Sequence, residues 1–301
     1  TKIVSKFILK NSTIIVVYHG VSYKEPFFHK KFNLNIKPKL FEKQIRWLKN
    51  NFNIISPKDL LNGNYKKPAV MITFDDGDKS YIKEAVPILN KHNIPSIMFL
   101  NMDVIKGNLS WAGISTYLSE INKDFKKNLK IKKNNSINFL DLNKKQVNNF
   151  LKTSNKQNIL KKIKKYTGNF LSLSELKKLD RSNLVFFGNH LYNHYNVINL
   201  NYKELKKQYI MNQNKIGKYN NYTKFFAYPF GQKETCYNLK TNRILFKLGA
   251  SAIFSSNPLN FNSHSNFFHR IPMAPRFNNN DTLISHLVLI RFKQLFYWNI
   301  F

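Results

Sequence analysis

The stretch that decides the fold is Ala69-Val70-Met71-Ile72-Thr73-Phe74-Asp75-Asp76-Gly77-Asp78. An apolar, partly β-branched run ends abruptly in two adjacent acids and a glycine. A short apolar run closed by a turn signal reads as a buried strand. The acids then stand where a parallel strand ends, the edge at which α/β barrels place their chemistry. Two neighbouring carboxylates repel each other and lose hydration, so the pair gains nothing structurally unless a cation or a proton lies between them. An isolated Asp-Asp-Gly reads first as a solvated turn. The rest of the chain decides between the two.

Further apolar runs flank this one. Residues 14–18 predict a strand ending in His19, on the same barrel edge as Asp75 and Asp76. Strands are expected over 53–56, 96–100, 184–187, 224–227, 250–255 and 267–271. Between them, apolar residues at helical spacing predict helices over 39–50, 80–92 with a bend at Pro87, 173–179, 202–218 and 236–248. A last amphipathic helix runs from 281 to the C-terminus. Repeated strand–helix alternation with no Gly-rich linker predicts an α/β fold, a single barrel spanning residues 1–301. Residues 115–170 differ. They are rich in Lys, Asn and Ser with loose helical spacing, and read as a helical insertion with a mobile basic connector near 132–138. Such a charge run is ordinarily a solvated face.

The chain has 301 residues, of which 43% are hydrophobic, enough to bury a full core. Its formal net charge of +33 favours anionic partners such as an acidic envelope glycan or a membrane surface. AT-rich coding would give the same Lys-, Asn- and Ile-heavy composition. A nucleic-acid binder would concentrate Lys and Arg on one face with interleaved aromatics. Here the basic residues are spread along the chain, so no nucleic-acid partner is expected. The single cysteine, Cys236, excludes an internal disulfide and a cysteine-based zinc site. No run approaches the ~18 apolar residues of a membrane span. The chain begins at Thr1 rather than Met, so a leader or anchor could precede it.

The chemistry gathers at a second strand end. His190 and His194 are four apart, and on a helical turn or in a tight loop both imidazoles face one side. With one carboxylate they make a two-histidine, one-carboxylate metal set with positions left for water and substrate. Only one of Asp75 and Asp76 is needed as ligand. The other is then available to accept a proton from metal-bound water.

At these residues the sequence resembles the polysaccharide deacetylases, the family-four carbohydrate esterases with a NodB-homology domain. The matching pieces are Thr73-Phe74-Asp75-Asp76-Gly77, His190-x3-His194 and Tyr228-Pro229-Phe230-Gly231, in the family's order. The resemblance implies a distorted (β/α) barrel that removes N- or O-acetyl groups from a cell-envelope glycan as an amide hydrolase. It implies Asp75 as catalytic base. Asp76, His190 and His194 would be ligands of one divalent ion, Zn2+ first, with Co2+, Ni2+ or Mn2+ as alternatives. The loop of Tyr228 and Phe230 would line the substrate and offer a backbone N–H, that of Phe230, to the oxyanion.

The sequence also departs from the family pattern. Many members carry an Arg before the Pro of the third motif, supporting the catalytic Asp. Here the residues are Phe226-Ala227-Tyr228, so that support must come from elsewhere. The late Leu-x-His acid is not evident, and His286 falls in the terminal helix, where it reads as structural. The Tyr18-His19 start resembles the subgroup acting on poly-N-acetylglucosamine-like glycans, in which an early histidine is the general acid. That implies His19 for the role, with His269 and then His264 behind it. A non-catalytic glycan-binding relative on the same fold is the alternative, and the intact Asp-Asp-His-His set argues against it. The envelope is the expected location, with the cytoplasm left open.

Overall fold

The apolar runs become parallel strands that close on themselves. The computed structural model describes residues 9–128, 138–142, 144–256 and 266–297. Among these, the main sheet has eight strands. The ring consists of β1 (Thr13–Tyr18), β2 (Ala69–Phe74), β3 (Ser96–Leu100), β4 (Val185–Asn189), β5 (Tyr222–Ala227), β6 (Ala252–Ser255) and β7 (Phe267–Pro272). Each pairs in parallel with its neighbours in sequence. The ring shuts where β1 pairs with both β2 and β7, placing Tyr18 beside Phe74 and Val17 beside Pro272. The eighth strand, Asn53–Ile54, lies against the first residues of β2. The result is the α/β barrel that the alternation predicted.

Both faces of these strands are buried, which explains their nearly continuous apolar runs. Successive side chains point to opposite sides. Ile15, Met71, Ile97, Phe99, Phe225, Ala227 and Phe254 fill the barrel interior. Their neighbours Val16, Val70, Ile72, Met98 and Phe187 face outward and pack into the helical layer. Gly188 of β4 is where the interior is tightest. A Cβ built there would come within 2.5 Å of the Phe99 ring. Phe99 is itself held against Phe254, 5.3 Å between centroids, and under the Arg270 guanidinium at 5.2 Å.

Local chemistry sets several helix ends. Capping boxes start the helices Pro57–Asn62, Leu173–Leu179, Tyr202–Ile216 and Leu239–Lys247, each donor–acceptor pair satisfying two otherwise orphaned N–H groups. The first cap, at Ser56, also cuts the strand expected over 53–56 to Asn53–Ile54. The helix expected from Cys236 begins only at Leu239, because Asn238 and Thr241 form its box. The helix expected over 80–92 is not one α-helix. Residues Tyr81–Ala85 are a π turn closed by Val86 N–H to the Tyr81 carbonyl, and α-helix resumes at Val86–Lys91. Pro87 has no N–H to continue the i→i−4 ladder, so the widened turn falls just before it.

Between β3 and β4 the chain leaves the barrel. Helices Trp111–Thr116, Lys123–Asn128, Lys144–Thr153 and Lys156–Thr167 surround an apolar cluster of their own, including Leu118, Phe125, Phe150 and Ile163. Most of the connector expected near 132–138 lies outside the described residues. The last helix is Asn280–Tyr297, which buries Leu283, Leu287 and Ile290. Among the described residues no helix is long and apolar enough to cross a membrane.

Gly188→Ala should lower stability by about 1–3 kcal/mol, the scale of overpacking in a tight core. Phe99 has no room to retreat from the new methyl group without pushing on Arg270. Urea unfolding of the two proteins measures the difference. A midpoint unchanged by the substitution would show that the barrel interior is looser than this contact indicates.

Candidate active site

The C-terminal ends of the strands bring the sequence motifs to one rim. Asp75 follows β2 and continues its inward alternation from Met71 and Thr73. Asp76 adopts a left-handed backbone, φ 70°, and Gly77 follows at φ 76°. Asp tolerates that region better than most residues, and Gly freely. The left-handed step breaks the alternation, so both carboxylates reach the barrel mouth instead of pointing to opposite sides. The histidine loop after β4 turns the same way, with Leu191 at φ 59° and His194 at φ 58°. The histidines thus share a side through a tight loop and not through a helical turn.

Buried amides clamp that loop. Asn101 donates to the carbonyls of His190 and Leu191, at 2.5 and 3.1 Å. Asn189 accepts the Leu191 N–H at 3.0 Å. Asn212, on the helix Tyr202–Ile216, donates to Asn189 at 2.8 Å and to the Leu100 carbonyl at 2.7 Å. Left-handed residues cost energy, and these bonds hold them in place.

Asp76, His190 and His194 converge. Asp76 Oδ1 lies 3.1 Å from His194 Nε2 and 3.5 Å from His190 Nε2. The three donor atoms all fall within 4.8 Å of one another. A carbonyl only accepts, so His190 must donate its Nδ1–H to Ala227, at 2.8 Å. That fixes its tautomer and aims the Nε2 lone pair at the cluster. One carboxylate and two imidazoles with open positions suit a divalent cation, so these residues fit a metal ion.

Asp75 is held differently. Arg270, fully buried on β7, grips it with two parallel bonds, Nη1 to Oδ1 at 2.6 Å and Nη2 to Oδ2 at 2.7 Å. The remaining guanidinium donors go to the Ser255 carbonyl at 3.1 Å, Thr73 Oγ1 at 3.3 Å and Ser256 Oγ at 3.2 Å. All five N–H groups of the fork are therefore used. Burial alone would raise the Asp75 pKa, but Arg270, and behind it His190, overcome burial and hold the carboxyl below the usual carboxylate range. Burial likewise acts to raise Asp76, and the two histidines pull it well below the ordinary value. In His190 burial acts to lower the pKa, but Asp75 and Asp76 raise it overall.

His19 is half-buried at the end of β1, and Asp75 donates its backbone N–H to Tyr18 at 3.1 Å, so the two ends sit side by side. It has the inward parity of Ile15 and Val17. Burial lowers its pKa, against the fields of Asp75 and Asp76. His269 is one residue from Arg270 and points to the opposite face. Its Nδ1 bonds Ser255 Oγ at 2.6 Å, and burial pushes its pKa down to about 4. The structure therefore does not bring His269 to the carboxylates. His286 packs on Phe277, 4.4 Å between rings, away from the site. His264 lies outside the described residues.

Tyr228 requires a correction. The sequence reading placed it on the substrate, but its side chain faces outward and is fully buried. Its hydroxyl bonds Asn242 at 2.7 Å and Thr241 at 3.0 Å, its ring stacks on Tyr237 at 4.6 Å, and its N–H donates to the Phe254 carbonyl at 2.9 Å. Strand alternation continues through β5 to Tyr228, which takes the outward parity of Phe226. Phe230 does reach the site. Its ring stands edge-on to His194 at 4.7 Å, and its backbone is left-handed, φ 62°.

Two residues at this rim were missed from sequence. Arg270 is the support for Asp75 that the third motif lacks. Its signal was a charged residue inside the strand expected over 267–271. Phe139, from the insertion, lies 5.7 Å from the Phe230 ring and had no signal.

A family model described as polysaccharide deacetylase matches residues 62–253. A poly-β-1,6-N-acetyl-D-glucosamine N-deacetylase of Staphylococcus epidermidis is 30% identical over 105 residues, which is 30% of this chain and 36% of the relative. Its namesake in Staphylococcus aureus is 36% identical over 73 residues, 23% of this chain and 25% of the relative. The matches thus span about a third or less of these curated relatives. Among solved structures, IcaB from Ammonifex degensii superposes with a TM-score of 0.57 at 18% identity, over 93% of this chain and 97% of that one. The Streptococcus pyogenes deacetylase PplD, in complex with acetate, gives 0.55 at 19% identity, over 91% and 96%. At these identities the likeness is one of fold.

Arg270→Met should cost about 3–5 kcal/mol, because it leaves a buried carboxylate without its partner. Because folding depresses the Asp75 pKa, the pair's contribution is complete above the unfolded value and is lost as pH falls through the lower folded one. The stability gap between wild type and Arg270→Met should therefore be widest at neutral pH and shrink below about pH 4. A pH-independent gap, read from denaturation curves, would show that the arginine acts through packing alone.

Proposed function

The chain belongs to the polysaccharide deacetylase family, and on that premise we propose that it removes N-acetyl groups from a poly-N-acetylglucosamine-type glycan of the cell envelope. The observation that carries this reading is the pairing of a metal-fitting Asp76–His190–His194 set with a second carboxylate, Asp75, held ionised beside it. The names of the staphylococcal relatives support the choice of glycan and of N- over O-deacetylation.

Asp76, His190 and His194 would hold one divalent ion, Zn2+ first, with Co2+, Ni2+ or Mn2+ as alternatives. Such an ion supplies Lewis acidity toward the acetyl carbonyl and lowers the pKa of a bound water. Asp75 is the general base. Arg270 keeps it ionised and fixes its orientation, with Oδ2 3.9 Å from His190 Nε2. The Phe230 backbone N–H, carried on its left-handed turn, stabilises the negative charge that develops on the carbonyl oxygen. His19 gives a proton to the departing sugar amine.

Acetate release from β-1,6-linked poly-N-acetylglucosamine tests the activity. Release should stop with a chelator and return with added metal. Asp75→Asn should keep its metal yet lose about 10²–10⁴-fold in rate, whereas Asp76→Asn should lose the metal. Equal metal content in both variants, measured by elemental analysis, would mean that the two acids have been given the wrong roles.

The acid role of His19 has its own signature. An amide's leaving amine must be protonated, while an activated aryl ester's phenolate leaves unaided. His19→Ala should therefore lose far more activity on the N-acetyl glycan than on an activated aryl acetate, at constant metal content. Equal losses on the two substrates would remove His19 from that step.

A further inference from the structure

The insertion does not stand apart from the barrel mouth. Phe139 sits on a single 3-10 turn, Phe139–Asp141. Its central residue, Leu140, is held through both its N–H and its carbonyl. Asn138 Oδ1 accepts the Leu140 N–H at 3.0 Å, and the Leu140 carbonyl accepts from Asn199 at 2.6 Å. From there the Phe139 ring meets two others, Phe230 at 5.7 Å and Phe32 at 5.8 Å. Phe230 in turn stands against the His194 ring at 4.7 Å. A second contact from the insertion lands on the other flank of the same loop, where Trp111 meets Tyr195 edge-on at 5.0 Å.

Phe139 belongs to no buried cluster. The insertion's own core is closed by Leu118, Phe125, Phe150 and Ile163, while Phe139, Phe32 and Phe230 are only partly buried. Three contiguous aromatic rings partly open to solvent, beside a cluster of acids and imidazoles, are the composition of a ligand groove and not of a finished core. A pyranose with equatorial substituents suits such a wall. Its axial C–H bonds form an apolar face that stacks on an aromatic ring, and its hydroxyls stay at the wet rim.

We infer that Phe139, together with Phe32 and Phe230, forms a stacking platform for a second sugar of the glycan, next to the one being deacetylated. Phe139 is then a specificity-determining residue, and the site selects a polymer over a single sugar. This inference rests on the deacetylase reading for its substrate, and the test separates the two.

Binding is measured first, with Asp75→Asn protein to prevent turnover and a hexamer of β-1,6-linked N-acetylglucosamine as the probe. Adding Phe139→Leu, which keeps apolar bulk and removes the flat ring, should weaken hexamer binding about fivefold to tenfold, the scale of one aromatic contact. Phe139→Tyr should restore it. In the otherwise wild-type enzyme, Phe139→Leu should lower the ratio of kcat/KM on the hexamer to kcat/KM on a monomeric aryl acetate by a similar factor. If both kcat/KM values fall together and the ratio stays fixed, Phe139 only props Phe230 and the inference is overturned. Unchanged hexamer binding overturns it as well. If the hexamer binds, responds to Phe139→Leu, yet releases no acetate from wild type, the platform stands and the deacetylase reading fails.

Discussion

A fully buried arginine gripping a fully buried aspartate is the constraint on which the rest of this barrel mouth depends. Taking both charges out of water is costly, and their attraction offsets that only when the geometry is good and every remaining donor is satisfied. Arg270 meets that condition, with its fork shared among Asp75, Thr73, Ser256 and the Ser255 carbonyl. Each partner comes from a strand end, so the ion pair is satisfied only when the ring has closed. Phe99 beneath it and the missing side chain at Gly188 set how deep the guanidinium sits.

Around that pair the molecule places backbone in unfavourable regions. Asp76, Leu191, His194 and Phe230 all have positive φ. Without those steps strand alternation would direct adjacent residues to opposite faces, and Asp75 and Asp76 could not share a rim. The Asn101–Asn189–Asn212 clamp supplies hydrogen bonds that the histidine loop cannot make within itself. Asparagine suits this work, since one side chain both donates and accepts. The negative charge of Asp75 and Asp76 also answers the imidazoles, which explains the opposite shifts of Asp76 and His190.

The insertion adds a different kind of surface. It leaves the barrel after β3 and comes back over the site through Phe139 and Trp111, both meeting residues that adjoin His194. Polar chemistry lies at the centre and aromatic surface at the side. A loop is free to vary while the barrel stays constant, so such a wall is where one barrel comes to differ from another.

Short-range patterns in the sequence determined the strands, the barrel class and the acid and histidine residues that the fold brings together at one rim. Ala69 to Gly77 reads as a strand closed by two acids because a buried strand and a turn are both local features, and His190-x3-His194 reads as a ligand pair for the same reason. Tertiary structure alone decided the partners. Arg270 and Asp75 are 195 residues apart, and only the closure of β1 on β2 and β7 makes them neighbours. The outward direction of Tyr228 and the inward direction of His19 depend on where each strand ends relative to its register, which a motif does not carry. That His269 points away from the carboxylates likewise depends on the face of β7 from which Arg270 projects. Phe139 had no signal at all, since its importance comes from where the insertion lands and not from any pattern around it.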